Sequence, residues 1–263
     1  MIIKNLKKIY SFILNNNLLE IIIKIFEKLR ILNLFLTPLN FFNKSKVFHN
    51  GKFNSIKIDT TNYESILCKL GGKYNTDKSQ FNKKGHRHSY TAAYNLLFTH
   101  LKNKKINFAE IGILNNSSIK MWRDYFKFAN IDGFDYDKKL INKARRHNLK
   151  KVNYHYINVN SVNSISDAFK KTKKKYDIII DDSTHFFDHQ INIINVTKKF
   201  LNKDGFLIIE DIYTNKKSYK EERYFDIMKN IRSEFKDIFF IECKHKNNYS
   251  ALWLNHKLLV LKK

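Results

Sequence analysis

The chain has 263 residues, long enough for one large domain with an extension, and with one Pro and seven Gly it is neither loop-rich nor collagen-like. Lys and Arg outnumber Asp and Glu by 49 to 24, yet the lysines run through the whole chain and Arg is scarce. The net charge of +25 therefore reads as compositional drift rather than a phosphate-reading surface, and nucleic acid is not an expected partner.

Residues 1–59 read as a helical, basic amphipathic N-terminal extension and connector. Apolar residues such as Ile9, Phe12, Ile13, Leu18, Ile22, Ile25 and Leu29 are interrupted by Glu20, Lys24, Glu27, Lys28 and Arg30. Charges at three- and four-residue steps mark one polar helix face. A transmembrane span needs about 20 largely uncharged residues, so none is expected here. No small-residue cleavage site follows the apolar run, so no signal peptide is expected either. Two readings of residues 1–42 stay open. One is a helix lying peripherally on the inner membrane face. The other is a helix docked on the rest of the chain, or on a second subunit of a homo-oligomer. Pro38 and the Asn- and Lys-rich stretch after it read as the connector.

Residues 60–263 are expected to form the catalytic domain. Residues 60–105 read as helix, loop, helix, and the loop Gly71-Gly-Lys-Tyr-Asn-Thr-Asp-Lys78 is polar. Loops of this kind, ahead of a nucleotide-type domain, often close over its ligand. Ser89 or Thr91 offers a cap for the second helix. The pattern then alternates. Strands are expected at 106–111, 131–134, 154–159, 176–180 and 205–209, and helices at 118–126, 138–147, 165–171, 190–200 and 225–235. Two further strands, 238–243 and 258–261, follow with no helix between them and should pair antiparallel. This is an α/β chain: a Rossmann-like, seven-stranded, mostly parallel sheet with helices on both faces and an antiparallel C-terminal strand. The two cysteines, Cys68 and Cys243, lie far apart without metal-ligand spacing, so a disulfide framework and a zinc site are excluded and a cytoplasmic setting is expected.

The chemistry gathers where strands end. The first βα turn is Ala109-Glu-Ile-Gly-Ile-Leu-Asn-Asn-Ser-Ser118. Gly112 suits the close approach of a nucleotide-type cofactor, Asn116 stands where a second Gly is usual, and Ser117 opens the helix. Glu110 is placed to hold the cofactor's amino-acid portion. Asp135 ends the next strand and is placed to accept from ribose hydroxyls. Asn158, Asn160 and Ser161 follow the third strand and would flank the adenine. Two strands then end in acid pairs: Asp181 and Asp182, with His185 one turn on, and Glu210 and Asp211. Hard divalent ions such as Mg²⁺ take carboxylates, water and substrate oxygens. Asp182, Glu210 and Asp211 could supply three such ligands, and His185 a base. Asp181 is the open member of the group, placed to orient His185, the substrate or the cofactor.

Seven strands with a final hairpin resemble a class I methyltransferase. More narrowly, the chain from Leu70 onwards resembles the Mg²⁺- and S-adenosylmethionine-dependent sugar O-methyltransferases of macrolide biosynthesis. The matching segments are Tyr74–Lys78, His88-Ser-Tyr90 with Tyr94, the Glu110–Asp124 run, Gly133-Phe-Asp-Tyr-Asp137, Ile180–His185 with His189-Gln190, and Ile208-Ile-Glu-Asp211. The resemblance implies metal ligation by Asp182, Glu210 and Asp211 and general-base catalysis by His185. It also implies that Tyr74, Thr76 and Lys78 help enclose the cofactor. Three departures stand out: Asn75 replaces a Gly, Ser183-Thr184 replaces Gly-Ser, and Val159 stands where relatives often carry an acid. The expected activity is methyl transfer from S-adenosylmethionine to a small-molecule or glycan hydroxyl. The competing readings are a nucleic-acid methyltransferase and a non-catalytic, membrane-associated assembly protein.

Overall fold

A computed structural model of the protein describes residues 53–251 and 254–263. The expectations for residues 1–42 lie outside the described residues. Eight strands form one sheet: β1 (Asn54–Asp59), β2 (Asn107–Ile111), β3 (Asn130–Asp135), β4 (Val152–Tyr156), β5 (Tyr176–Asp181), β6 (Leu201–Ile209), β7 (Asp237–Lys244) and β8 (Lys257–Lys262). Their order across the sheet is β1-β7-β8-β6-β5-β2-β3-β4. All neighbours are parallel except β8, which runs antiparallel to both β6 and β7. The expected seven strands and the antiparallel C-terminal strand are therefore present.

The eighth strand is new. Asn54–Asp59 falls in the stretch read as connector, yet it pairs with β7 from Asn54 opposite Phe239 to Asp59 opposite Lys244. It is an edge strand, largely exposed, with Ile56 and Ile58 as its only apolar residues. Phe53, just before it, is buried and anchors it, with ring centroids 5.1 Å from Phe225 and 6.4 Å from Phe240.

Helices cover the sheet: α1 (Ile66–Tyr74), α2 (Tyr90–Phe98), α3 (Ser117–Tyr125), α4 (Lys138–Arg145), α5 (Val162–Thr172), α6 (Phe187–Thr197) and α7 (Glu221–Met228). Local chemistry sets several of their ends. Ser65 caps α1 by accepting from the Cys68 N–H at 3.2 Å, and Asp137 and Ser161 cap α4 and α5 in the same way. Asn75 ends α1 in the left-handed region at φ 52°, so the Asn found in place of Gly meets the same backbone demand. Ser89 precedes α2 without a capping hydrogen bond, and the Thr91 hydroxyl donates to Gln80 instead. Among the described residues no helix is long and apolar enough to cross a membrane.

The central strands are buried on both faces, so they read as continuous apolar runs. Successive residues still part company: Ile179, Leu207 and Ile209 join one core cluster, while Ile178, Ile180 and Ile208 join the other. Trp122 of α3 is fully buried in the second cluster, among Tyr94, Phe98, Phe108 and Phe126.

Sequential strands run β2-β3-β4 to one side, and β5 returns to pair with β2 on the other. The order reverses between β2 and β5, and ligand crevices of open α/β sheets lie beyond the carboxyl ends of the strands at such a point. Trp122→Ala should lower unfolding stability by about 3–5 kcal/mol in a denaturant titration, the usual cost of emptying a large aromatic site. A loss under about 1 kcal/mol would mean that this ring cluster does not hold α3 to the sheet.

Candidate active site

Strand ends bring the acids together. Glu110 is the penultimate residue of β2, Asp181 ends β5, and Glu210 and Asp211 follow β6 directly. The ladder continues past the strands. The Asp182 N–H donates to the Ile111 carbonyl at 2.8 Å, and the Glu210 N–H to the Asp181 carbonyl at 2.9 Å. Gly112 sits at φ +92°, and a Cβ there would lie 2.0 Å from the Asp182 carbonyl oxygen. Glycine is thus required for β2 and β5 to close together at the crevice, whatever binds above them.

Lys78, on the loop after α1, enters this cluster from outside the sheet. Its ammonium bonds to Asp182, donates to Glu210 at 2.7 Å and lies 3.3 Å from Glu110 Oε1. Its side chain is 1% exposed. Burial alone would depress the Lys78 pKa, but Asp182, Glu210 and Glu110 outweigh it and hold the group well above its ordinary value. The carboxyls pay for their burial in the opposite direction. Burial raises Glu110, Asp181 and Asp182 and pushes Glu210 up to about 8, with Lys78 pulling each of them back down.

Two tyrosines, one helical turn apart on α2, take the adjacent acids of β6. Tyr90 donates to Asp211 at 2.7 Å and Tyr94 to Glu210 at 2.5 Å. His88 is buried with its ring stacked on Tyr90, its Nδ1 2.8 Å from His256 Nδ1 and its Nε2 4.0 Å from Asp211. For Asp211, burial is again the largest influence and an upward one. The imidazoles of His88 and His185 and the Tyr90 hydroxyl outweigh it and hold the carboxyl below its ordinary value.

Asp182, His185 and Asp211 each offer a ligand atom, all within 4.8 Å of one another. His185 Nε2 is 3.5 Å from Asp211 Oδ2. Two carboxylates at a partly open position suit a hard divalent ion that keeps water or substrate oxygens in its remaining places, with the imidazole beside them placed to serve as a base. The expected third carboxylate, Glu210, points elsewhere: one oxygen accepts from Tyr94 and the other from Lys78. Asp182 meets the same lysine, but Glu210 has Tyr94 on its other oxygen and its side chain is 2% exposed against 18% for Asp182. Lys78, expected against the cofactor, is correspondingly an internal cation of the acid cluster.

The other expected cofactor residues divide. Asp135 accepts from the Ile113 and Leu114 N–H groups at 3.0 and 3.3 Å and from the Asp137 N–H at 2.8 Å, so its carboxylate shapes the first βα turn. Asn116 is left-handed at φ 67°, as its Gly-like position required, but its buried side chain is bonded to Tyr154 and His147. Ser117 opens α3, with its N–H on Asn115. Asn160 reaches His189 at 3.2 Å, the Asn158 N–H donates to the Ser164 hydroxyl oxygen at 2.9 Å, and Ser161 is spent on its cap. Asp181 accepts from the Ser183 N–H and hydroxyl rather than from His185. Thr76 is buried, its hydroxyl 3.4 Å from Asp77. Tyr74 donates to Asp124 near the far end of α3 and is not brought into the cluster. Glu110 is fully buried beside Lys78 and Ser118, and among the described residues neither of its oxygens has a well-aligned hydrogen bond. A buried carboxylate with spare acceptor capacity at the switch point is suited to a cationic ligand group.

No protein-family model matches the chain. A mycinamicin-pathway methyltransferase, solved with Mg, SAH and mycinamycin VI, superposes with a TM-score of 0.58 at 17% identity, covering 76% of this chain and 55% of that one. This is the class I methyltransferase fold. In sequence, the chain is 27% identical to an 8-demethyl-8-alpha-L-rhamnosyl tetracenomycin-C 2'-O-methyltransferase of Streptomyces olivaceus, over 49% of this chain and 34% of the relative. It is 25% identical to an L-olivosyl-oleandolide 3-O-methyltransferase of Streptomyces antibioticus, over 62% of this chain and 41% of the relative. A mycinamicin VI 2''-O-methyltransferase of Micromonospora griseorubida matches at 24%. The matches thus span between a third and about two fifths of these curated relatives' length.

The raised carboxyls of the methyltransferase fold carry a pH signature. A carboxyl raised in the folded state keeps a proton that the unfolded chain gives up. Its stabilising contribution is therefore complete below its ordinary value of 4.5 and lost as pH rises through about 8 for Glu210. Ion-free protein should lose stability steadily across that interval in thermal melts, and Glu210→Gln should flatten the decline. A decline equally steep in the variant would place the effect in another group.

Proposed function

We propose that the protein transfers a methyl group from S-adenosylmethionine to a hydroxyl of a sugar or glycan precursor, with the help of a divalent cation. The observation that carries this reading is the grouping of Asp182, His185 and Asp211 at the ends of β5 and β6, beside the β2–β5 switch point. The likeness to three sugar O-methyltransferases supports the acceptor class.

Asp182 and Asp211 would hold the cation. Glu210 acts one step behind them, through the ammonium it shares with Asp182. When bound, a divalent ion lowers the pKa of a hydroxyl it coordinates, and S-adenosylmethionine supplies an electrophilic methyl on a sulfonium. The remaining work falls to the chain. Glu110, Asp181, Asp182, Glu210 and Asp211 gather around the single Lys78; burial favours the protonated form of the raised carboxyls, and a cation entering the crevice would take the place of those protons. Glu110 would meet the amino-acid portion of the cofactor. The first βα turn, held by Asp135 and opened by Gly112, Asn116 and Ser117, would lie along its ribose. The loop that carries Thr76 and Lys78, and the turn through Asn158, Asn160 and Ser161, would border it.

His185 takes the acceptor proton at Nε2. Asp211, 3.5 Å from that nitrogen, stabilises the imidazolium as it forms. Methyl transfer then depends mainly on alignment of the oxygen with the sulfonium. A cytoplasmic setting, with or without contact at the inner membrane face, fits this chemistry. Neither the nucleic-acid reading nor the non-catalytic one gains support.

His185→Ala should lower turnover by about 10²–10⁴-fold, the range typical of general acid–base groups, while S-adenosylmethionine still binds in a calorimetric titration. Wild-type protein stripped with EDTA should lose activity and recover it with Mg²⁺. Full turnover in EDTA would overturn the role of the cation.

A further inference from the structure

His185 has an unusual backbone. Its φ is +58°, in the left-handed region that residues with a side chain rarely occupy, and no glycine flanks it. Asp211, the residue its ring faces, is likewise left-handed at φ +58°. Two neighbouring non-glycine residues in this region, on facing strand-end turns, must be held there by surrounding contacts. The geometry around Asp211 supplies its restraint, since Tyr90 bonds its carboxylate and the next residue, Ile212, donates to the Lys257 carbonyl at 2.9 Å.

Ser183 and Thr184, just before His185, are held by Asp181 and His189, and a further side chain bonds the backbone of His185 itself. The Tyr219 hydroxyl donates to the His185 carbonyl at 2.6 Å. That carbonyl lies two residues before Phe187, the first residue of α6, so the phenol holds the chain at the point where the His185 turn becomes helix. Tyr219 is itself buried, with its ring edge-on to Tyr213 at 4.9 Å and to Phe187 at 6.1 Å. Loss of the hydroxyl would leave the ring packed while freeing the left-handed turn to relax toward ordinary backbone angles, which would swing the imidazole away from Asp211.

We infer that Tyr219 is a positioning residue for His185: its hydroxyl pins the strained turn that aims the imidazole at the acid pair. The inference rests on the proposed role of His185 as the base. It also makes the segment after β6 a contributor to both halves of the site, since Asp211 opens that segment and Tyr219 lies near its end.

The test is a double-mutant cycle in the full-length chain, with a spectroscopic readout beside it. Tyr219→Phe keeps the ring and should fold. It is expected to lower kcat by about 10–100-fold, the scale of a misplaced group, with KM for S-adenosylmethionine changed less than about 2-fold. In a His185→Ala background the same substitution should change the residual rate less than about 2-fold, because the group it positions is gone. The His185 imidazole resonances of ion-free protein should shift or broaden in Tyr219→Phe. Normal turnover in Tyr219→Phe beside an inactive His185→Ala would overturn the inference and leave the base intact. An equal loss in both backgrounds would also overturn it, by making Tyr219 merely structural. Normal turnover in His185→Ala would remove the reading on which it rests.

Discussion

A buried ammonium among carboxylates sets the terms for this protein. Lys78 lies in contact with Asp182, Glu210 and Glu110, and its side chain is almost completely withdrawn from solvent. Ions taken out of water cost several kcal/mol each unless partners replace the lost hydration, and removing one partner of such a group typically costs about 3–5 kcal/mol. The lysine thus makes a dense acid cluster tolerable in the folded protein. Lys78 meets Asp182 and Glu210 alike, and Tyr94 parts them: Glu210 is held inward between Lys78 and Tyr94, while Asp182 keeps a more open place beside His185 and Asp211. The cluster is thus neutralised in part from within, by the ammonium and by protons that burial favours on its raised carboxyls.

The fold supplies the convergence. Because the strand order reverses between β2 and β5, the ends of three adjacent strands deliver acids to a single crevice. The close approach of β2 and β5 depends on Gly112, whose missing side chain admits the Asp182 carbonyl. Tyr90 and Tyr94 then reach down from α2 and fix the two acids of β6 separately. The rigid core fixes the acids, and the loops around it fix the bases. Lys78 and His88 come from the segment between α1 and α2, and Tyr219 fastens His185 from the segment after β6. Such a division places loop-borne groups on a stiff frame, as functional sites in this architecture generally require.

Much of this was legible in the chain. The apolar runs ending in Asp181-Asp182 and Glu210-Asp211 marked both the strands and the carboxylates, because a doubly buried strand has little other sequence texture. Gly112 and Asn116 marked the first βα turn through their tolerance of left-handed backbone. The edge strand β1 was not legible, since Asn54–Asp59 is mostly exposed and offers only two apolar residues as pattern. The early part of β6 escaped for a similar reason, with Lys203 and Asp204 exposed at its start. The partners of the acids were the hardest part. Tyr90 and Tyr94 stand four residues apart, a helical spacing that could have matched them to two adjacent acids. Lys78 meets Asp182 across 104 residues of sequence, and nothing local foretells a contact of that range. The roles expected of Asp135, Ser161 and Tyr74 illustrate the same limit. A polar residue at a strand end or in a loop is as readily used by the fold itself, on a turn, a cap or a neighbouring helix, as by a ligand.

The central claim is that the acids at the ends of β5 and β6 form a divalent-cation site within the cofactor crevice. The most direct measurement is an anomalous difference map from crystals grown with Mn²⁺ and S-adenosylhomocysteine. The account predicts one strong peak at coordination distance, about 2.0–2.6 Å, from carboxylate oxygens of both Asp182 and Asp211, with the nucleoside lying along the turn that follows β2. A map with the nucleoside bound and no peak at these carboxylates, or with the ion held elsewhere, would contradict it.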